Sequence, residues 1–194
     1  MSEHGDLDAK LVGALERAGQ ALRVQLWDTA KQHGLNPIQL QVLLRLAADP
    51  PTAGRVGALA AAFDVSQPSM SDTVAALRRK ALVRDRPRRG GVVLTARGRA
   101  LVRELDGWGD RTREALAAMP AADKERTLGV LLGVIAGLQR SGAITVARMC
   151  TTCRFFRPAA HPGEPRPHHC ALLDAPLGEG DLRVDCDEHQ PKAA

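Results

Sequence analysis

A mainly helical fold is predicted by three observations. Ala and Leu supply most of the apolar content of this 194-residue chain, while aromatic residues reach only 3% and tyrosine is absent, a balance that favours helices over sheets. Apolar residues recur at helical spacing, as at Leu11, Leu15, Leu22 and Leu26. The β-prone runs are few and short: Leu82-Val83-Arg84 and Val92-Val93-Leu94 stand on either side of a Pro- and Gly-containing turn.

The elements follow in order. An amphipathic helix is predicted from Leu7 to about Gln32, closed by Gly34. Asn36 is an N-cap with Pro37 in the first turn, and the helix runs through Leu40, Val42, Leu43, Leu44 and Leu46 to a stop at Asp49-Pro50-Pro51. Val56 to Phe63 is a short helix followed by a turn at Asp64-Val65. Ser66 caps the next helix, which carries Pro68 early and continues to about Lys80. The β-prone runs then form a hairpin whose tip spans Asp85 to Gly91. Thr95 caps a helix from about Ala96 to Met119, and another is expected from Asp123 to about Gln139. Ser141-Gly142 marks the passage into a C-terminal tail, giving expected domains of residues 1–142 and 143–194. No internal repeat is present.

Charge is unevenly spread. The net charge is +5, yet residues 150–194 hold five basic and seven acidic side chains. The excess lies between Arg78 and Arg103, where nine arginines and one lysine are opposed only by Asp85. A charge run is commonly a solvated face, but arginine is the better reader of phosphates and narrow grooves. Nucleic-acid binding is the favoured reading.

Two helices joined by a short turn, the second capped and rich in small polar residues, make a helix-turn-helix; the basic hairpin after it reads as a wing. The segments VGALAAAFDVSQPSMSDTVAALRRKALV and VVLTARGRALV resemble the MarR family of winged helix-turn-helix regulators. The resemblance extends over roughly residues 7–140, with the winged core at about 37–99. It departs at Asp72, where a neutral or basic residue is more usual, and in a short wing with Arg88 and Arg89 in the place of the family's wing arginine.

What the resemblance implies is a dimeric transcriptional regulator of double-stranded DNA, with repression the expected mode. Ser66 to Thr73 would open a recognition helix pointing into the major groove. Gln67 suits adenine, Ser69, Ser71 and Thr73 a base edge or phosphate, and Met70 either a thymine methyl or the protein core. Arg78 and Arg79 suit backbone phosphates, and Arg88 and Arg89 an adjacent minor groove. The segments Leu7–Gln32 and Ala122–Gln139 carry surplus apolar surface for a homodimer. A small-molecule effector between the first helix and the Ala96 helix is a further expected partner.

The tail holds all four cysteines, Cys150, Cys153, Cys170 and Cys186, together with His161, His168, His169 and His189. The C-x2-C turn can aim two thiolates at one metal centre. Four thiolates suit tetrahedral zinc, which is read first, or an iron–sulfur cluster, with His168, His169 or His189 as substitute zinc ligands. Zinc would be structural; a cluster would make the chain a redox, oxygen, iron or nitric-oxide sensor.

Other classes fare worse. No G-x-G-x-x-G, P-loop, H-E-x-x-H or nucleophile elbow occurs, so an enzyme is not expected. A winged-helix protein–protein adaptor is disfavoured by the arginine-rich wing. No apolar run approaches the ~18 residues of a membrane span, and the acidic N-terminus MSEHGDLDAK is unlike a signal peptide. A cytoplasmic, nucleoid-associated bacterial protein is expected.

Overall fold

In the computed structural model the described residues are 3–48, 54–86, 90–145 and 148–192. The chain divides into two compact units, residues 1–61 with 65–115 and residues 62–64 with 116–194.

The first unit opens with α1 (Glu3–Gln32) and α2 (Pro37–Ala47). Gly34, at φ +64°, supplies the left-handed residue after α1, and the Leu35 N–H returns to the Ala30 carbonyl at 2.8 Å. Asn36 caps α2 as its sequence position predicts. Its side chain accepts from the Gln39 N–H at 2.9 Å while the Asn36 N–H donates to Gln39 Oε1 at 3.3 Å, a reciprocal capping box. The predicted stop at Asp49-Pro50-Pro51 lies outside the described residues. Helix α3 (Val56–Ala62) and α4 (Gln67–Arg79) are joined through Asp64, at φ 51°.

Strands β1 (Val83–Asp85) and β2 (Val92–Leu94) pair antiparallel, with Val83 opposite Leu94. The first strand starts one residue later than the sequence predicts. Leu82 is taken up in ending α4: its N–H donates to the Leu77 carbonyl at 3.0 Å, and its carbonyl accepts from the Thr95 N–H at 3.0 Å. The wing is anchored near its tip by the Val92 N–H, which donates to the Gly54 carbonyl at 2.8 Å. A side chain on Gly91 would sit 2.5 Å from that same carbonyl oxygen, at a φ of +84°, so the approach requires glycine.

The sequence predicts one continuous helix from Ala96 to Met119. The structure instead breaks it into α5 (Ala96–Leu105), a 3-10 turn at Asp106–Gly109 and α6 (Asp110–Ala117). The cause is Asp106-Gly107-Trp108-Gly109, where two glycines weaken helical propagation and allow the chain to tighten. The core of this unit gathers Leu40, Leu43, Leu59, Met70, Leu77 and Leu105, all essentially inaccessible, behind α2, α3, α4 and α5.

The second unit is built on α7 (Ala121–Arg140). A 3-10 turn at Cys150–Thr152, β3 (Phe156–Arg157), β4 (His168–Cys170), β5 (Ala175–Leu177) and a 3-10 turn at Glu179–Asp181 follow. The strands form one antiparallel sheet in the order β3-β4-β5. Cys170 therefore lies on a strand, with Phe156 opposite it. Leu132 and Ala136 of α7 pack with Met149, Cys153, Phe156 and Leu182 in a single core. This small core explains how a tail with so few apolar residues holds a shape: it borrows one face of a helix.

Candidate functional site

The start of α4 is set by local chemistry. Ser66 is extended, at φ −64° and ψ 148°, and its hydroxyl accepts from the Ser69 N–H at 3.3 Å. Pro68 sits within the first turn, where a missing N–H costs nothing. Helical periodicity then divides the face. Met70, Thr73, Val74 and Leu77 point inward, while Ser66, Gln67, Ser69, Ser71, Asp72, Arg78 and Arg79 are exposed.

This division sorts the predicted base readers. Gln67, Ser69 and Ser71 offer polar groups to solvent. Met70 is fully buried, so the core position is the one it occupies, and it presents no methyl contact to a base. Thr73 is almost as buried, and its hydroxyl donates to the Ser69 carbonyl at 2.9 Å. Both therefore support the helix from behind instead of facing a groove. Asp72 shares the exposed side with Ser71.

The basic end of α4 is tied to the wing. Arg78 pairs with Asp85 on β1 at 2.5 Å, and a phosphate would compete with that carboxylate. Arg79 is exposed and stands beside Lys80 and Arg97 in one cleft that also carries His33 and Glu104. Lys80 donates from Nζ to the Gly34 carbonyl. Arg84 is exposed on β1. Arg88 and Arg89, the predicted minor-groove contacts, lie outside the described residues. The wing is braced by the Arg86 N–H, which donates to the Gly91 carbonyl at 3.0 Å. Thr95 caps α5: its hydroxyl accepts from the Gly98 N–H at 3.0 Å and donates to the Ala81 carbonyl at 2.8 Å. A side chain on Gly98 would stand 2.1 Å from the Leu82 carbonyl oxygen, so glycine lets α5 lie directly against the turn that precedes the wing.

The second unit brings the four cysteines together. Cys150, Cys153, Cys170 and Cys186, from three separate stretches of chain, line one cavity of about 40 Å³, with Phe155, Phe156, Leu172, Leu173 and Leu177 in its wall. All four are free thiols. The C-x2-C turn closes through the Cys153 N–H, which donates to the Cys150 carbonyl at 3.0 Å. The Cys186 segment is held in place by Arg148, whose guanidinium pairs with Asp185 at 2.7 Å and Asp187 at 3.2 Å. Burial, aided by the nearby Cys186 and Cys170, raises the Cys150 thiol above its ordinary pKa, opposed by a backbone N–H from Arg183.

Spacing alone does not single out Arg183, yet it touches two of the sulfurs. Its backbone N–H donates to Cys150 Sγ at 3.2 Å and its guanidinium to Cys186 Sγ at 3.6 Å. The histidines proposed as substitute ligands are placed elsewhere: among the described residues, none is in the cavity wall. His168 pairs with Glu179 at 2.9 Å, His169 with Asp174 at 3.3 Å, and His189 with the Thr152 hydroxyl at 2.9 Å. Burial lowers the His189 pKa. Among the described residues, no three Cys, His, Asp or Glu side chains converge closely enough to hold a single metal ion.

Each unit also leaves apolar side chains in solvent. On α1 these include Leu11, Val12, Leu15 and Trp27, the last 58% exposed; on α7 they are Val130, Leu131, Val134 and Leu138, with Val130 60% exposed.

The first unit, a helix-turn-helix followed by a two-stranded wing, makes this a winged helix-turn-helix protein. A model of the MarR family matches residues 33–91, from the end of α1 to the second strand of the wing. Among solved structures, the transcriptional regulator PA3341 is 23% identical with a TM-score of 0.58, covering 67% of this chain and 98% of its own. Sco5413, a MarR family transcriptional regulator from Streptomyces coelicolor, is 24% identical with a TM-score of 0.54, covering 67% and 95%. MepR of S. aureus, in complex with DNA, is 19% identical with a TM-score of 0.58, covering 65% and 94%. At these identities the likeness is one of fold. No curated protein matches the chain. No helix among the described residues is long and apolar enough to cross a membrane.

Proposed function

We propose that this chain is a MarR-family transcriptional regulator that binds double-stranded DNA as a homodimer and represses by occupying a pseudo-palindromic operator. The observation that carries the reading is the partition of α4: Gln67, Ser69 and Ser71 are presented outward while Met70 and Thr73 anchor the helix from within. A helix so exposed at its N-terminus, with arginines at its other end and a wing beside it, suits major-groove insertion flanked by phosphate contacts. The family match over residues 33–91 and the DNA-bound state of the S. aureus protein of like fold add support.

In this reading Gln67 and Ser71 read base edges, Ser66 and Ser69 cap the helix and reach the backbone, and Arg79 neutralises phosphate. Arg78 does so in exchange with Asp85, and Arg88 and Arg89 serve the minor groove. The exposed apolar side chains of α1 and of α7 supply the dimer contacts. The cleft within the first unit lined by Gln25, Asp28, Trp108 and Arg111 is where this reading puts a small-molecule effector.

The tail adds a metal centre on Cys150, Cys153, Cys170 and Cys186. What supports it is that four free thiols from three stretches of chain line one mostly apolar cavity. Zinc would supply folding energy and an iron–sulfur cluster would add redox chemistry. Either way the centre bears on α7, because Cys153 shares a core with Leu132 and Ala136.

The test is selection of duplexes from a randomised pool by the purified full chain at physiological salt. An enriched two-fold symmetric sequence with half-sites about one helical turn apart is expected. Recovery of DNA without sequence enrichment would refute the reading.

A further inference from the structure

We infer that the centre is an iron–sulfur cluster ligated by all four cysteines, with Arg183 as a positioning residue that donates to two of the ligand sulfurs. The inference rests on the reading of the tail as a metal centre and decides which kind.

The deciding quantity is how far apart the sulfurs are held. Tetrahedral zinc binds each thiolate at about 2.3 Å, which draws all four sulfurs to within about 4 Å of one another and leaves no hollow between them. Here the four cysteines, together with neighbouring apolar and charged side chains, line a hollow of about 40 Å³. One water needs only about 10–15 Å³ of such space, so the hollow exceeds that of a single small occupant. Among the described residues no three candidate ligands converge on one point. A polynuclear cluster reverses the geometry: each thiolate binds a metal at the edge of an iron–sulfide core, and the sulfurs stand apart around it.

The wall chemistry agrees. Phe155, Phe156 and Leu177, with the exposed Leu172 and Leu173, make it largely apolar, and the charged Asp181, Arg183 and Glu188 complete its lining, so an inorganic core here would sit on an apolar wall near the surface. The histidines, whose nitrogen donors a mixed zinc site would use, are paired with Glu179, Asp174 and Thr152. Thr151, inside the C-x2-C turn, has a buried hydroxyl without a hydrogen-bond partner among the described residues, a donor left over in a loop that carries two sulfur ligands.

Arg183 gives the site its polarity. Its N–H groups reach Cys150 Sγ at 3.2 Å and Cys186 Sγ at 3.6 Å, bridging the first and last cysteines of the set. Hydrogen bonds and positive charge at ligand sulfurs favour the more reduced, more negative form of a cluster. Replacing the side chain leaves the backbone donor to Cys150 in place and removes only the guanidinium.

The experiment uses the full chain, produced with iron and zinc both supplied and purified without oxygen. Iron, acid-labile sulfide, zinc and free thiols are counted per chain and the visible spectrum is recorded. Iron with matching sulfide and a broad brown absorption is expected, with loss of both in Cys170→Ser. A colourless protein with one zinc per chain would overturn the cluster while leaving a metal centre in the tail. Four reactive thiols and no metal would overturn the metal centre itself. If Cys170→Ser fails to fold, Arg183→Met and Arg183→Lys carry the test by reductive titration, in which dithionite supplies one electron to the cluster and no bond breaks. Arg183→Met should keep its iron and shift to a more negative potential, with Arg183→Lys nearer the parent; equal potentials in all three would remove Arg183 from its role.

Discussion

Met70 and Gln67 lie three residues apart on the same helix and are expected to fail in opposite ways. Met70 is fully buried, and Met70→Ala removes three heavy atoms from a packed core. At about 0.8 kcal/mol for each methylene-sized group, the transfer loss is about 2–3 kcal/mol, and the cavity left behind raises the total to about 3–4 kcal/mol. Met70→Leu conserves volume and should cost less than about 1.5 kcal/mol. Gln67 is exposed, and Gln67→Ala should leave stability within about 0.5 kcal/mol. Its DNA affinity should fall by about 1–3 kcal/mol, and only on the selected operator. Urea unfolding followed by circular dichroism gives the first set of numbers, and fluorescence anisotropy on a labelled duplex gives the second. A Met70→Leu protein that folds normally yet loses operator affinity tenfold would make Met70 a base reader and refute this division of the helix. A Gln67→Ala protein that unfolds would refute it equally.

Gly98→Ala should destabilise by about 2 kcal/mol or more by thermal or urea unfolding, because the new methyl would stand 2.1 Å from the Leu82 carbonyl oxygen. Helix propensity alone predicts a gain of about 1 kcal/mol, so the sign of the change is the test. Arg79→Gln should weaken binding to all duplexes alike and reduce the slope of log affinity against log salt by about one for each phosphate that the arginine neutralises. Leu11→Glu combined with Leu15→Glu places charge on the exposed apolar side of α1 and should shift the protein from dimer to monomer in sedimentation velocity; an unchanged dimer would place the interface elsewhere.

The caps and punctuation of the first unit were legible in the sequence. Asn36, Ser66 and Thr95 each cap the helix their positions announced, because short polar side chains before an apolar periodic run act locally. Less legible were features settled by tertiary contact. The break at Asp106–Gly109 interrupts an otherwise helical pattern at two glycines that a periodicity count passes over. Met70 looked equally suited to core and groove until the rotation of α4 placed it inward. The helix was plain, but which side of it faced the core was set by packing against other elements.

In the tail, the clustered cysteines pointed to one site, and all four line one cavity, but the sequence did not show the strand that carries Cys170 or the way α7 completes the core around Cys153. Arg183 gave no signal at all. A single arginine three residues before a cysteine is ordinary in sequence, and its contact with Cys150, 33 residues away, appears only when the chain folds back.

The central claim is that the outward face of α4 enters the major groove, and site-directed photocrosslinking tests it most directly. A photoreactive side chain at position 67 or 71 of the full chain, bound to its selected duplex, should crosslink to bases at two positions related by the dyad of the operator. The same group on the exposed side of α7, at Val130, should give none. Crosslinks from position 130 to bases, with none from positions 67 and 71, would contradict the account.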